Sequence, residues 1–442
     1  MTSLVAPPRV PIPANGVDYR GKVVLAPMVR SGELPSRLLA LKYGADLVWG
    51  PETIDRSMIG AIRRINPRNA TIEFTRQPSN GGRASKAPSE SIIYRIDPVR
   101  EKGKLIFQIG TASPELAVQA AKVVAGDVAG IDVNSGCPKP FSTSGGMGAA
   151  LLRTPDLLVS ILEALVREVG SPYQIGISVK IRLLETPVLT ENLVKRLCAT
   201  GITGLTVHCR TAPMRPRERA IRDQLRMITL TCRNAGVACV MNGDVSSRDE
   251  ALALVEEYGV DGAMIATAAE SNASCFRNAA EGGLLPWREV VHEYVDFCLH
   301  CENRFGNTKY LLNILIPGKN KQYKDAKVAR SYSDACHLLE FEDLLPAAKD
   351  VDKILNLEKK STLGVGHDTQ HQAWQNAMQH NESARAAGGL PKVKHSSPGP
   401  TGLGPIRTRS ISSPPVAQLE LESEIELSAQ GPLSEQVPGV AT

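Results

Sequence analysis

Short apolar runs that alternate with helical patterns dominate the first part of this 442-residue chain. Eight such runs stand between Lys22 and Ala266, and a helical pattern separates nearly every neighbouring pair. They are Lys22–Met28, Asp46–Trp49, Lys104–Gly110, Gly130–Val133, Gly176–Arg182, Gly204–His208, Val237–Met241 and Gly262–Ala266. Eight βα units in about 250 residues predict an α/β fold, the (β/α)8 TIM barrel. A doubly wound sheet is the weaker alternative, because no Gly-x-Gly-x-x-Gly motif follows the first run.

The rest of the chain departs from this alternation in two places. Between the second and third runs, Thr71–Phe74 and Ser91–Tyr94 look like short extra strands, which indicates an insertion. Beyond Phe276 the pattern is purely helical, and after about Leu357 apolar periodicity is lost to Ser, Pro, Gly, His and Gln. The predicted parts are an N-terminal extension (1–20), the barrel (21–280, with an insertion at about 56–102), a small C-terminal helical domain (281–350) and a disordered tail (351–442).

The composition indicates a protein of a reducing compartment with a mild basic bias. The formal net charge is +5, which is compatible with a polyanionic partner but does not require one. The nine cysteines follow no disulfide-framework spacing, and the sequence shows no signal peptide or long apolar span. We therefore expect a cytoplasmic or nuclear protein with no membrane partner, and we expect a monomer.

Polar side chains cluster at the ends of the predicted strands. The carboxyl ends of the strands surround the active site of a TIM barrel, so these residues are expected to meet at one mouth. Any one of them alone is explained by packing or by a satisfied hydrogen bond, but together they predict a ligand-binding site. The strand-end residues are Pro27, Met28, Gln108, Asn134, Cys137, Lys180, Arg182, His208, Arg210, Asn242, Gly243, Asp244, Ala266 and Thr267.

Cys137 lies on the most informative of these loops. The run Gly130–Val133 leads through Asn134 to Gly136-Cys137-Pro138, where glycine and proline end the strand. A thiol on a loop after a barrel strand is a candidate catalytic group. The alternative is a buried packing residue, which is the usual state of a free cysteine.

The strand ends also suggest what the barrel binds. Loops after the seventh and eighth strands of a barrel commonly bind phosphate through backbone N–H groups, and here they carry Asn242–Asp244 and Ala266–Thr267. A phosphate at this end, with Gln108 and Lys180 toward the centre, suits flavin mononucleotide (FMN). Spacing alone leaves a sugar phosphate open.

Several segments resemble the tRNA-dihydrouridine synthases. The similar segments are Leu25–Arg30 (LAPMVR), Gly130–Lys139 (GIDVNSGCPK), Gly145–Leu152 (GGMGAALL) and Val179–Arg182 (VKIR). Asn307–Tyr310 (NTKY) is similar to the eukaryotic branch that acts on position 20 of the tRNA D-loop. The resemblance covers roughly residues 22–345. It implies a flavin-dependent barrel with a C-terminal helical domain, which reduces uridine in tRNA with NADPH.

The same resemblance implies roles for individual residues. Cys137 is the expected proton donor to carbon 5 of the uracil, after hydride from the reduced flavin has reached carbon 6. A thiol suits this role because its ordinary pKa of about 8.5 leaves it protonated at neutral pH. The expected FMN-binding residues are Pro27, Met28, Val29, Gln108, Lys180, His208, Asn242, Gly243, Asp244, Ala266 and Thr267.

Some positions depart from the family pattern. His208-Cys209-Arg210 carries a thiol where the family has glycine, and this thiol is expected to crowd the mouth. Ala266–Thr267 lacks the family's arginine, which is expected to weaken FMN binding without abolishing it. Pro51 replaces an acidic residue beside Glu52. The double-stranded-RNA-binding domain of animal relatives has no counterpart after Leu345, so tRNA is expected to bind the barrel and the helical domain alone.

Basic and polar residues are the candidates for contact with tRNA. A charged run is as often a solvated surface as a phosphate site, so these assignments are the weakest. The candidates in the insertion and the helical domain are Arg63, Arg64, Lys319, Lys321 and Lys324. The candidates at the barrel mouth are Asn134, Arg182 and Arg210.

Alternatives remain open at this point. Cys298, His300, Cys301 and the pair Cys336–His337 suggest zinc, but their helical spacing favours core packing, so no metal site is predicted. An FMN barrel that oxidises or reduces a free pyrimidine, such as a dihydroorotate dehydrogenase, is a second possibility, against which the basic helical region argues. A catalytically impaired RNA-binding protein is a third, because residues at the mouth have changed.

Overall fold

The computed structural model describes residues 9–77 and 91–358. Within these ranges eight parallel strands close into a barrel, so the predicted (β/α)8 architecture is confirmed. Each strand pairs with its neighbours in chain order, and the eighth pairs with the first. The strands are β1 (Lys22–Leu25), β2 (Leu47–Trp49), β3 (Leu105–Gly110), β4 (Gly130–Ser135), β5 (Gly176–Leu183), β6 (Gly204–Thr211), β7 (Ala238–Asn242) and β8 (Gly262–Ile265).

The strand register brings predicted site residues to one level of the barrel. Asn134 on β4 pairs with Lys180 on β5. His208 on β6 pairs with Arg182 on one side and with Asn242 on the other. Because parallel strands all run in the same direction, these residues meet at the carboxyl end of the barrel.

Helices connect the strands around the outside of the barrel. The predicted helix near 149–169 is divided at Pro155, which favours the first position of a helix and cannot continue the preceding turn. The barrel helices are α1 (Leu34–Lys42), α2 (Asp55–Met58), α3 (Pro114–Val124), α4 (Pro140–Thr143), α5 (Pro155–Leu165), α6 (Ser171–Tyr173), α7 (Pro187–Cys198), α8 (Leu225–Asn234), α9 (Arg248–Tyr258) and α10 (Thr267–Ser271). Shorter turns are the 3-10 helices Ala125–Asp127, Gly148–Arg153, Ala273–Phe276 and Ala279–Glu281 and the π-helical turn Val166–Gly170.

The insertion contains an antiparallel sheet, here called the insert sheet, with strands Ile62–Ile65, Ile72–Arg76 and Ser91–Ile96 among the described residues. The sequence predicted the second and third of these strands and missed the first. Ile62–Ile65 is exposed along its whole length and has two arginines at its centre, so it lacks the apolar pattern of a buried strand. Nearby, the two-residue strand Thr53–Ile54 pairs with the end of β3.

Five further helices follow the barrel within residues 287–354. They are α11 (Trp287–His300), α12 (Phe305–Leu315), α13 (Lys321–Val328), α14 (Tyr332–Leu338) and α15 (Leu345–Ile354), and a 3-10 turn, Glu342–Leu344, precedes the last. The sequence did not predict α13, because its polar, lysine-rich composition resembles that of a loop.

The predicted start of the tail, residue 351, is wrong by several residues. Helix α15 continues to Ile354, and its Asp352 is buried. The Asp352 carboxylate accepts hydrogen bonds from the backbone N–H groups of Tyr332 (2.8 Å) and Ser333 (2.9 Å) at the start of α14. The remainder of the predicted tail, residues 359–442, lies outside the described residues.

Hydrogen bonds join the insert sheet to the end of α11. Glu302 accepts one from the side chain of Asn66 at 3.0 Å and forms a two-point ion pair with Arg68. Asn69 Nδ2 also donates to the His300 carbonyl oxygen at 3.1 Å. The insertion is therefore fastened to the C-terminal helices as well as to the barrel.

The segment predicted as an N-terminal extension contributes to the barrel interior. Tyr19 is buried among the amino-terminal ends of the strands, and its ring centroid lies 5.8 Å from that of Trp49. Gly204, the first residue of β6, makes room for it: a Cβ there would lie 2.6 Å from the Tyr19 ring. Across the described part of the chain, no helix is both long and apolar enough to cross a bilayer.

Candidate active site

An open cavity of about 310 Å³ lies at the carboxyl ends of the barrel strands. Nine residues predicted from the sequence line it: Pro27, Met28, Val29, Gln108, Asn134, Cys137, Lys180, Arg182 and His208. The sequence reasoning missed the others, which are Glu52, Gly136, Pro138, Lys139, Phe141, Glu270 and Tyr310. Glu52 follows β2, so the strand-end criterion would have found it had it been applied to that strand. Tyr310 comes from α12, and no local signal places it here.

The loop after β4 holds Cys137 at the edge of this cavity. Asn134 Oδ1 accepts hydrogen bonds from the backbone N–H groups of Gly136 (3.0 Å) and Cys137 (3.1 Å). Arg182 Nε donates to the Gly136 carbonyl oxygen at 2.8 Å. Both residues were predicted as substrate contacts, and both fix the loop as well as lining the cavity.

The Cys137 thiol is half-buried and stays protonated at neutral pH. Burial raises the pKa of Cys137, and the Glu52 carboxylate raises it further. Lys139 and Arg182 act in the opposite direction but do not reverse the shift. The loop therefore presents an S–H group to the cavity, which suits a proton donor better than a nucleophile.

Lys180 projects from β5 into the cavity. Its Nζ donates a 3.0 Å hydrogen bond to Asn242 Oδ1, so Asn242 acts on the site through Lys180. Burial lowers the pKa of Lys180 to about 8, and the neighbouring Arg182 contributes to this shift. Its ammonium is thus retained at neutral pH, close to the point at which it begins to lose its proton.

His208 is neutral in this environment. Burial lowers its pKa to about 2, with further contributions from Lys180, Arg182 and Arg210. Arg210 Nη1 lies 3.2 Å from His208 Nε2, and an arginine can only donate, so Nε2 is the acceptor. The ring proton is therefore on Nδ1, and neutral His208 offers one N–H donor.

Gln108 is oriented by a buried carboxylate behind it. Its Nε2 donates to Asp132 Oδ2 at 2.8 Å, while Ser178 Oγ donates to Asp132 Oδ1 at 2.7 Å. Burial raises the pKa of Asp132 to about 6, although Gln108, Ser178 and Lys180 oppose the shift. Asp132 engages one of the two Nε2 hydrogens, so the carbonyl oxygen and the second N–H of the Gln108 amide are left for the cavity.

The predicted residues after β7 and β8 border the cavity without lining it, whereas Glu270, later in α10, does line it. Asp244 is engaged by Arg210 Nη2 at 2.5 Å and by the Ala220 N–H at 2.7 Å. Gly243 has a φ of +119°, and a Cβ there would lie 3.3 Å from the His208 ring. Thr267 begins the short helix α10, with Ala266 directly before it. The FMN-binding roles predicted for Asn242, Gly243, Asp244, Ala266 and Thr267 remain predictions.

Cys209 and Arg210, which were both expected at the mouth, are buried away from the cavity surface. The thiol of Cys209 does not crowd the mouth, because side chains alternate along β6 and Cys209 is buried on the face opposite His208, among core residues. Arg210, predicted as a substrate contact, is buried behind His208, where it also donates to the carbonyl oxygens of Glu218 and Pro216.

The suspected cysteine ligands behave as core residues, whereas His300 and His337 are exposed. Cys298, Cys301 and Cys336 are buried in the hydrophobic core. In residues 9–77 and 91–358, no group of three or more His, Cys, Asp or Glu side chains is arranged to hold a metal ion.

The basic candidates for tRNA contact fall into two kinds. Arg63 is engaged by Asp127, with Nε and Nη2 donating at 2.7 and 2.8 Å, although part of its side chain stays exposed. Arg64 is exposed on the same strand. Lys319, Lys321 and Lys324 are exposed, with Lys319 in the turn before α13 and the other two in the first half of that helix.

The donors and acceptors of the cavity fit a flavin ring system. Lys180 supplies a cation, Gln108 a carbonyl acceptor and His208 an N–H donor, all within one open cavity whose size is that of a ligand site. A planar ring with carbonyl oxygens and an N–H edge complements this set, and a cation near such a ring stabilises its reduced, anionic form.

Comparison with known proteins shows which family the chain belongs to. A sequence profile of the family described as Dihydrouridine synthase (Dus) matches residues 24–314. A tRNA-dihydrouridine(20) synthase [NAD(P)+] of Schizosaccharomyces pombe is 50% identical over 348 residues, which cover 78% of this chain and 70% of that protein. The Saccharomyces cerevisiae protein of the same name is 42% identical over 385 residues, covering 80% of this chain and 97% of that protein. A mouse tRNA-dihydrouridine(20a/20b) synthase [NAD(P)+]-like protein is 30% identical, covering 64% of this chain and 76% of that protein. The chain therefore belongs to the dihydrouridine synthase family.

Proposed function

We propose that this protein reduces uridine to 5,6-dihydrouridine at position 20 of the tRNA D-loop, with FMN as its flavin and NADPH as the reductant. The observation that carries the proposal is the protonated Cys137 thiol held beside Lys180, His208 and Gln108 in one cavity. Family membership and the names of the yeast relatives support the substrate and the position.

Cys137 acts as the acid. When bound, the flavin supplies hydride to carbon 6 of the uracil, and carbon 5 then needs a proton. The Cys137 S–H delivers it, because the raised pKa keeps the thiol protonated and the loop fixed by Asn134 and Arg182 keeps it at the cavity wall.

The residues around Cys137 orient the two ligands. Lys180 would hold the flavin with a positive charge, which would stabilise its reduced, anionic form. Neutral His208, with its proton on Nδ1, would offer a donor to a carbonyl oxygen of the flavin, and the Gln108 carbonyl would offer an acceptor to an N–H group. Target uridine must leave its stack to reach the cavity, which costs little in a loop whose bases are already unpaired.

The tRNA body is bound by positive surfaces outside the cavity. Arg63 and Arg64 on the insert sheet and Lys319, Lys321 and Lys324 near α13 contact its phosphates in this proposal. The protein works as a monomer in the cytoplasm or nucleus, where tRNA and NADPH are available. The described residues 287–354 serve as a helical tRNA-binding domain.

The proposal is tested with purified full-length protein. We expect a flavin absorption spectrum, release of FMN on denaturation, and oxidation of NADPH that depends on tRNA lacking dihydrouridine. Mass spectrometry of the treated tRNA should locate the new dihydrouridine at position 20. Turnover of free uracil or orotate without tRNA would instead support a pyrimidine oxidoreductase. Tight tRNA binding by a flavin-free protein would support an RNA-binding role.

A further inference from the structure

The Glu52 carboxylate lines the same cavity as Cys137 and is only half satisfied. Its Oε1 accepts a 2.9 Å hydrogen bond from Ser142 Oγ. Its Oε2 is buried and makes no hydrogen bond of good geometry in the described parts of the chain, although the side chains of Asn134 and Cys137 lie near the carboxylate and lower its pKa. A buried carboxylate oxygen without a partner is costly, and it is retained mainly where a protein uses the group for chemistry.

One short segment, which contains Cys137, Ser142 and Ala149, fixes the positions of both Glu52 and Cys137. Ser142, which binds Glu52, lies in α4 directly after the Cys137 loop. The Ala149 N–H donates to the Cys137 carbonyl oxygen at 2.9 Å, and this closes the loop. Gly148 makes the closure possible, because it has a φ of +58° and a Cβ there would lie 2.6 Å from the Cys137 carbonyl oxygen.

The thiol and the carboxylate influence each other electrostatically. Burial raises the pKa of Glu52, and the nearby groups Ser142, Asn134 and Cys137 only partly oppose this. Glu52 in turn adds to the raised pKa of Cys137, while the charged groups on the other side of the thiol, Lys139 and Arg182, lower it. The two groups therefore line one cavity and act on each other's protonation.

The reaction itself requires a route for protons. In the proposed function each turnover consumes NADPH, one uridine and one proton, because NADPH supplies only the hydride. The proton enters the product from Cys137, which is left as a thiolate. The next uridine cannot be reduced until this half-buried thiolate has been protonated again from solvent.

We propose that Glu52 is the relay that returns this proton to Cys137. The protonated carboxyl group gives its proton to the Cys137 sulfur, which re-forms the S–H bond, and the resulting carboxylate takes a new proton from water at the open cavity mouth. The transfer runs from the more acidic group to the less acidic one. The inference rests on the proposed function and deepens it.

Glu52→Gln tests the relay, because glutamine keeps the size of the side chain and an oxygen for Ser142 but cannot pass on a proton. Enzyme with pre-reduced flavin is mixed with excess tRNA for the first turnover, and the steady state is then followed with NADPH. We expect the first dihydrouridine to form within about twofold of the wild-type rate, because Cys137 starts protonated. Steady-state turnover should fall tenfold or more, in the lower part of the range for loss of general acid–base catalysis.

Two further variants distinguish a loss of proton transfer from a structural defect. Glu270→Gln removes another carboxylate that lines the same cavity, and it should change the first-turnover and steady-state rates in equal proportion. Glu52→Ala should be rescued in the steady state by added acetate, which can supply the missing carboxyl group, whereas a merely structural defect would not respond.

A readout that does not need the flavin is the alkylation of Cys137. The rate of alkylation by iodoacetamide is measured at a series of pH values by mass spectrometry. The reagent should react first with Cys137, because the other eight cysteines are buried. Removing the Glu52 charge should move the alkylation midpoint to lower pH. An unchanged midpoint would show that the two groups do not interact and would overturn the relay.

Other outcomes also decide the question. Equal steady-state rates for wild type and Glu52→Gln would overturn the relay, and so would an equal loss of the first turnover. If Glu52→Gln fails to bind flavin, Ser142→Ala replaces it: we expect a slowed steady state with an intact first turnover, and two unchanged rates would refute the idea. A wild-type protein that makes no dihydrouridine would refute the proposed function instead.

Discussion

Lys180 Nζ donates a 3.0 Å hydrogen bond to Asn242 Oδ1, and Asn242 Nδ2 donates in turn to the Met264 carbonyl oxygen at 2.9 Å. A buried ammonium on β5 is thereby connected to β7 and β8. The bond keeps one charged donor fixed at the centre of the mouth. The pKa of Lys180 therefore differs between the folded and the unfolded chain, and this difference can be measured through its effect on stability.

Lys180 should make stability depend on pH in the alkaline range. Its pKa falls from 10.5 in an exposed lysine to about 8 in the folded barrel. Between these values the unfolded chain binds a proton that the folded protein does not, so stability contributed by Lys180 rises with pH from about 8 to about 10.5. We expect a gain of the order of 3 kcal/mol for wild type relative to Lys180→Met. Urea unfolding of both flavin-free proteins at pH 7, 8.5 and 10 measures it, and parallel pH profiles would contradict it.

Cys137→Ala should lose dihydrouridine formation by about 10²- to 10⁴-fold, because carbon 5 of the uracil has lost its acid. Flavin binding and the reduction of the flavin by NADPH should remain, since neither uses the thiol. Rapid-mixing absorbance and mass spectrometry of tRNA measure the two half-reactions. Cys209→Ala is the matched control, because Cys209 is buried outside the cavity, and it should keep both rates. Comparable product from Cys137→Ala would remove Cys137 from the reaction.

Replacing Lys319, Lys321 and Lys324 together with glutamine should weaken tRNA binding and leave reduction of the flavin by NADPH intact. Each lost phosphate contact lowers the slope of log affinity against log salt by about 0.9. Filter binding between 50 and 200 mM salt, about the usual range for such tests, gives the slope.

The matched control for these lysines is the triple change to glutamine at Lys104, Lys122 and Lys195. These residues are exposed too, but they lie before β3 and in the last turns of α3 and α7, at the end of the barrel away from the mouth. Equal effects of the two triple variants would show that the affinity reflects total charge and not this surface.

Truncation should distinguish the predicted tail from the helical region. A chain ending at Glu358 should fold and catalyse as the full chain does. A chain ending at Leu344 loses α15, and with it the buried Asp352 that binds two N–H groups of α14. This second chain should melt at a clearly lower temperature, as circular dichroism would detect. Loss of activity in the chain that ends at Glu358 would show that residues 359–442 take part in folding or catalysis.

The sequence predicted those features of the fold and the site whose signal lies within one short segment of the chain. Eight apolar runs between helices identified the barrel, and strand-end polarity identified Gln108, Lys180 and His208, since both signals are read along one strand. Tyr310 and the pairing of Arg63 with Asp127 could not be predicted, because each joins elements far apart in the chain. Helix α13 was missed because its stabilising contacts come from its neighbours and not from its own lysine-rich face.

The contacts of Glu302 with Asn66 and Arg68 have a consequence for how an RNA meets this protein. They join the insert sheet and the C-terminal helices into one frame, assembled when the chain folds. The insert sheet and the C-terminal helices therefore keep their relative placement before any ligand arrives. A bound nucleic acid then adapts to a template of fixed geometry, and little of the binding free energy is lost in ordering the protein.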